Sequence, residues 1–276
     1  MKNKYVEIGI IGLLFSIGLV STAKAVPVPV DLNTWTAESY PAVSGFGAGV
    51  WTVSGDGSSV YQSVNGQPTM FYSDFDTYGS TFTGTITVTG SDDDYIGFAL
   101  GFNSGDTSNS AADYLLIDWK RGTQYYDFGT PSNTPGSTAP AGLAVSQVSG
   151  IPTADEFWGH TDFESDTGGG LTELQRATSL GSTGWATGTT YEFTFDFGPN
   201  DMEVFVNGVK ELDITGTFNN GSFAFYNFSQ AAVTYAGFEQ DTGTFIPIPP
   251  TVWLFGSGLA GLIGVARRKR SQLYNR

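Results

Sequence analysis

The chain has 276 residues, no cysteine, 37 glycines, 14% aromatic residues and a formal charge of −15. Residues 26–245 hold 26 acidic against four basic side chains, about −22, which excludes recognition of DNA, RNA or anionic lipid through their phosphates. No disulfide can staple the fold, so a buried core or a bound metal must stabilise it, and about 220 residues suffice for such a core.

At the N-terminus, Lys2 and Lys4 precede an apolar run over residues 8–20 and then Ala23-Lys24-Ala25. A basic region, an apolar core and an A-x-A site predict a secretory signal peptide over residues 1–25. The domain proper is expected over residues 26–245. Its first part holds short apolar pieces separated by Gly55-Asp56-Gly57 and Asn65-Gly66, both turn signals. In residues 82–89, Phe82, Ile86 and Val88 share one face and four threonines the other, with Gly84 interrupting the apolar side.

Residues 91–120 read as an acidic turn, an apolar strand (YIGFALGF), a Ser-, Asn- and Asp-rich loop and a second strand (YLLIDWK). Asp92, Asp93 and Asp94 repel one another without a counter-charge, and a hard cation such as calcium takes clustered oxygen ligands. Side chains alternate along a strand, so Asp92 with Asp94, or Asp93 alone, is expected to face such an ion unless a turn intervenes. The competing reading is a solvated acidic turn. No EF-hand spacing is present.

Residues 130–140 form a low-complexity loop, and residues 161–170 a second acidic loop containing Asp162, Glu164 and Asp166. The clearest strand follows: Tyr191, Phe193, Phe195 and Phe197 alternate with Glu192, Thr194 and Asp196. Met202, Val204 and Val206 continue the pattern into Asn207-Gly208, the pair preferred in a type I′ hairpin turn. Three further strands are expected over residues 209–214, 221–228 and 233–238. No stretch shows a 3.6-residue apolar period. About a dozen short strands predict an all-β sandwich.

The C-terminus has Ile246-Pro247-Ile248-Pro249-Pro250, an apolar stretch over residues 251–266 and Arg267-Arg268-Lys269-Arg270. The apolar stretch is just long enough to reach across a bilayer core, and the basic cluster would stay on the cytoplasmic side. This tail resembles the PEP-CTERM sorting signals of Gram-negative bacteria, which an exosortase-type enzyme recognises. The resemblance implies a sorting tail over residues 246–276, with membrane contact only through it before processing. It also implies export through the inner membrane to the cell envelope, surface or extracellular matrix. The motif here lacks a Glu between its prolines, which bears on the cleavage position.

Six segments taken in order resemble the C-terminal, L-type-lectin-like domain of thrombospondins and cartilage oligomeric matrix protein. Thr81-Phe82-Thr83-Gly84-Thr85 is similar to that family's F-x-G-T-F, and Asp92-Asp93-Asp94-Tyr95-Ile96-Gly97-Phe98 to its D-D-D-[YF]-A-G-F. Tyr114 to Lys120 is similar to F-Y-V-V-M-W-K, and Trp158, His160 and Thr161 to L-W-H-T with Gly159 inserted. Gly184-Trp185 is similar to G-W, and the run from Phe225 to Gln230 to F-x-F-S-Q. The resemblance implies a concanavalin-A-like jelly-roll sandwich, bound calcium, an adhesive or matrix role and no catalysis. The chain departs from the family in having no cysteine, so the fold carries over further than the animal partners do.

With this resemblance, calcium is expected at Asp92, Asp93 and Asp94, with Asp118 and Asp106 as ligands from neighbouring segments. The function expected is that of a calcium-binding adhesive or structural module for an extracellular polysaccharide or envelope component. A specific glycan-binding lectin is the alternative. A glycosidase would need two carboxylates set about 5 Å apart in a recognisable strand motif. The nearest pairs, Asp155 with Glu156 and Glu192 with Asp196, lie in no such motif. His160, the single histidine, has no G-x-S-x-G elbow beside it and is expected to be structural. Trp51, Trp119, Trp158 and Trp185 are candidates for sugar stacking, with burial between the sheets as the commoner fate.

Overall fold

The computed structural model describes residues 26–43, 45–132, 134–163 and 168–243. The expected signal peptide, the sorting tail, Glu164 and Asp166 lie outside the described residues. Two antiparallel sheets dominate. The first runs, in spatial order, Val209–Thr215, Asp201–Val206, Thr190–Phe197, Ser80–Val88, Val233–Asp241, Ser59–Gln62 and Trp51–Val53, with Val28–Pro29 added to Val233–Asp241. The second runs Gly169–Arg176, Gly142–Gly150, Asp113–Lys120, Tyr95–Phe102, Ser222–Phe228, Thr69–Asp76 and Thr36–Ser39. Together they make the β-sandwich that the strand pattern predicts, with the jelly-roll architecture that the family resemblance implies.

The strands of the first sheet follow period 2, with one face in the core and one in water. Phe193, Phe195 and Phe197 are buried and Glu192 is exposed. Asn207 and Gly208 both take positive φ, 49° and 77°, in the predicted hairpin turn. The gap at Gly84 also has a physical reason. A Cβ there would lie 2.4 Å from the Phe238 ring, so only glycine lets Phe238 pack flat on its strand. Phe98 is the hub of the core, its ring within 6 Å of those of Phe193, Phe195, Phe223, Phe225, Tyr235 and Phe238.

In the second sheet the alternation disappears. Every residue of Tyr95–Phe102 is buried, as are residues 114–120. Ile96, Phe98, Leu100, Leu115, Ile117 and Trp119 face the first sheet. Tyr95, Ala99, Phe102, Tyr114 and Leu116 belong to a second apolar cluster with Phe157 and Trp158. That cluster lies under the helix Ala154–Gly159, which the sequence reading did not anticipate. The helix is too short for an apolar period, but its start is a capping box: Glu156 accepts from Thr153 N at 2.7 Å and Thr153 Oγ1 at 2.8 Å. The loop expected over residues 130–140 is likewise part structured, because Ser137–Ala139 pairs with Gln124–Tyr126.

Gly84→Ala is expected to destabilise the domain by about 1–3 kcal/mol, the usual cost of overpacking a filled core. Urea denaturation checks it, and Phe238→Leu in the same chain should restore part of the loss.

Candidate functional site

The acidic turn sits where the Ser80–Val88 strand of one sheet passes to the Tyr95–Phe102 strand of the other. Asp92, Asp93 and Asp94 precede the strand rather than belong to it. Strand alternation therefore does not separate them: each offers an oxygen, and all three oxygens lie within 4.8 Å of one another. The expectation that only Asp92 and Asp94, or Asp93 alone, could share a face gives way, because the turn that would lift the restriction is present.

The counter-charge the cluster needs comes in part from the protein. Lys120 is wholly buried at the end of Asp113–Lys120, with its Nζ 2.6 Å from Asp94 Oδ1 and 3.6 Å from Asp93 Oδ1. Its remaining donors reach the Asp93 carbonyl at 3.1 Å and Gln124 Oε1 at 3.2 Å. The ammonium also lies 4.4 Å from the centre of the Trp158 ring. Burial pushes the Asp94 carboxyl up to about 6, and Lys120 opposes that shift. Asp94 is thus ionised at neutral pH and committed to Lys120. Asp92 takes a hydrogen bond from Asn65 Nδ2, and Asp93 keeps 41% of its side chain exposed. These two carboxylates face solvent with oxygen donors alone, a set that suits a hard cation.

The other two expected ligands have different surroundings. Asp106 is buried in the loop after Tyr95–Phe102, accepting from Asn103 N at 2.8 Å and Asn109 Nδ2 at 3.0 Å. Asp118 is buried two residues before Lys120, and its Oδ2 lies 3.0 Å from His160 Nε2. His160 ends the helix in a left-handed conformation, φ 49°, and its Nδ1 lies 3.2 Å from Glu173 Oε2. Glu173 in turn takes two hydrogen bonds from Arg176, at 3.0 and 2.8 Å. A row of alternating charge thus runs Asp118, His160, Glu173, Arg176.

Both His160 ring nitrogens face carboxylate oxygens, and only the doubly protonated ring can donate to both. Burial works against that charge, but Asp118 and Glu173 outweigh it and push the pKa up from 6.5 to about 9. Burial pushes the Asp118 carboxyl up, with His160 opposing. The hydrogen bond from His160 holds Glu173 below its ordinary value, burial working against it and Arg176 adding to it.

Of the carboxylates weighed for glycosidase chemistry, Asp155, Glu156 and Asp196 have structural roles here, and Glu192 is exposed. Asp155 and Glu156 are buried in the first turn of the helix and accept backbone hydrogen bonds. Asp196 accepts from Thr81 across the first sheet. Among the tryptophans, Trp119, Trp158 and Trp185 are buried, and Trp51 packs half-buried against Phe71 with its Nε1 donating to Thr69. The reading of residue types overlooked Lys120, Glu173 and Arg176. An isolated lysine or histidine beside acids at strand ends is the signal that could have found them.

A family model described as the thrombospondin C-terminal region matches residues 47–242. Thrombospondin-2 of Mus musculus is 26% identical over 203 residues, covering 69% of this chain and 16% of the relative. Thrombospondin-2 of Bos taurus is 25% identical over 203 residues with the same coverage, 69% and 16%. The chain thus spans about a sixth of the length of these curated relatives. Solved structures show a distant similarity. A carbohydrate-binding module, CBM66 from Bacillus subtilis, has a TM-score of 0.46 and 11% identity, covering 75% of this chain and 95% of that one. The VIP36 exoplasmic/lumenal domain in its Ca2+/Man3GlcNAc-bound form has 0.46 and 12%, covering 81% and 90%. A glycoside hydrolase family 16 endo-glucanase from Bacteroides ovatus has 0.41 and 10%, covering 76% and 97%.

The His160 pKa is raised in the fold, so its stabilisation is full below pH 6.5 and is lost as pH rises through about 9. The melting temperature is expected to fall across that window. His160→Gln should flatten this fall while lowering stability at pH 6. Melting curves of both proteins from pH 6 to 10 check the expectation.

Proposed function

We propose, since the chain belongs to the thrombospondin C-terminal region family, that it is an exported, non-catalytic binding module that takes calcium at its acidic turn. The observation that carries the reading is the acidic turn itself. Three carboxylates converge there, Lys120 sits 2.6 Å from Asp94 but 3.6 Å from Asp93, and Asp92 and Asp93 are both partly exposed. These two residues would hold the ion, with carbonyls and water completing its shell. Asp94 supports them by holding Lys120. Asp118 and Asp106 are tied to partners of their own and stand outside the set.

The non-catalytic reading is supported by the occupation of the groups that chemistry would need. His160 is buried with both nitrogens engaged, and Asp155 and Glu156 are spent on backbone hydrogen bonds. The strongly acidic surface suits divalent cations and uncharged or cationic polymers. The module is accordingly assigned an adhesive or structural role in an extracellular or envelope matrix of a Gram-negative bacterium, with an extracellular polysaccharide or envelope component as partner. The N-terminal segment would direct export, and an exosortase-type enzyme would act on the tail.

A ligand bound only by the native state raises stability by about 2.7 kcal/mol at a hundred times its Kd, or about 5–10 °C in a domain of this size. Calcium added after chelation should raise the melting temperature of the full-length protein by that order. Asp92→Asn combined with Asp93→Asn should abolish the rise. A melting curve that neither chelator nor calcium moves would overturn the calcium reading.

A further inference from the structure

We propose that Lys120 is a built-in competitor of calcium at the acidic turn: its ammonium stands in for the ion when none is bound and holds the turn's affinity down. The inference rests on reading the turn as a calcium site. The turn already holds one cation. Lys120 is wholly buried, and its Nζ lies 2.6 Å from Asp94 Oδ1 and 3.6 Å from Asp93 Oδ1. A lysine is almost never fully buried unless it is paired, so this ammonium marks a place where the fold provides for positive charge.

The three N–H donors of the ammonium are all assigned. One goes to the Asp94 carboxylate, one to the Asp93 carbonyl at 3.1 Å and one to Gln124 Oε1 at 3.2 Å. None is left for the Asp93 carboxylate, which feels the ammonium only through its charge. The Trp158 ring, 4.4 Å from Nζ, closes another side. The charge is thereby fixed beside Asp93. The turn itself has other anchors. Asp94 N donates to Gln230 Oε1 at 3.0 Å, and the Asp94 carbonyl accepts from Trp185 Nε1 at 3.0 Å. The Asp93 carbonyl also accepts from Arg121 N at 3.1 Å, and the Asp92 carboxylate accepts from Asn65 Nδ2. None of these bonds uses the Lys120 ammonium or the Asp94 carboxylate.

This placement acts on calcium in two ways. A cation taken by Asp93 shares its carboxylate with an ammonium 3.6 Å away, and like charges repel. Asp94, spent on Lys120, is withheld from the ion, which receives two of the three converging carboxylates. Affinity at calcium sites follows the charge of the ligand set, and extracellular modules work at about 0.1–1 mM. Two carboxylates beside a fixed ammonium belong in that weak range. The same ammonium relieves the repulsion among the carboxylates when calcium is low, so the turn keeps its shape without the ion.

The test is calorimetric titration of the full-length protein with calcium chloride, in the wild type and three variants. The wild type is expected to bind with a Kd of about 0.1–1 mM. Lys120→Met combined with Asp94→Asn removes both charges, leaves the net charge unchanged and strands no buried ion, so the fold is retained. It should bind at least about fivefold tighter, because Asp92 and Asp93 then act without the ammonium. Asp94→Asn alone leaves the ammonium to Asp93 and should weaken binding by at least about threefold. Lys120→Met alone leaves Asp94 unpaired, so it should melt below the wild type in chelator and show the largest rise with calcium. A smaller gain in the double variant, or Asp94→Asn binding as tightly as the wild type, overturns the inference and leaves the calcium reading standing. Binding by the double variant with none by the wild type up to about 20 mM, a ceiling of negligible affinity, retains the inference and overturns the calcium reading for the native chain. No binding by any of the four proteins overturns both.

Discussion

The Asp113–Lys120 strand is buried on both faces, and much of the arrangement around it follows from that. One face supplies Leu115, Ile117 and Trp119 to the core between the sheets. The other carries Tyr114, Leu116, Asp118 and Lys120 into a second interior beneath the helix Ala154–Gly159. Period 2 therefore buries a carboxylate and an ammonium two residues apart on one face. Neither can remain there unpaired, because removing one partner of a buried ion pair costs about 3–5 kcal/mol. Both partners come from outside the sheet. Asp94 comes down from the acidic turn to Lys120, and His160 reaches in from the end of the helix to Asp118. Two electrostatic ties thus fix the two elements that cover this sheet.

The same constraint decided what could be read from residue types. The Tyr191–Phe197 stretch lies on the sheet with one wet face, and its alternation was plain. The Asn207-Gly208 turn was plain too, because its backbone demands positive φ. Tyr95–Phe102 reads as a continuous apolar run, since neither of its faces meets water, and such a run reveals a strand without revealing what covers it. The helix Ala154–Gly159 left only its capping box as a signal. The acidic turn was visible as a charge run, but its geometry was not. Whether three neighbouring carboxylates converge depends on where the strand begins, and Asp94 and Tyr95 differ in that by a single position. Lys120 was hidden for a related reason: a lysine at a strand end is usually solvated, and only the second buried layer forces it inward.

The strand register also orders the two ends of the sandwich. Val28 and Pro29 pair with Gln240 and Glu239, so residues 26 and 243 enter and leave at the end where Asp241 faces Thr81. The Ser80–Val88 strand runs from there to the acidic turn, and its nine residues span about 30 Å. Residues 26 and 243 therefore lie at the end remote from the acidic turn. The same strands that bury Phe98 hold the open carboxylates of Asp92 and Asp93 away from that end. The antiparallel register alone separates the acidic turn from residues 26 and 243.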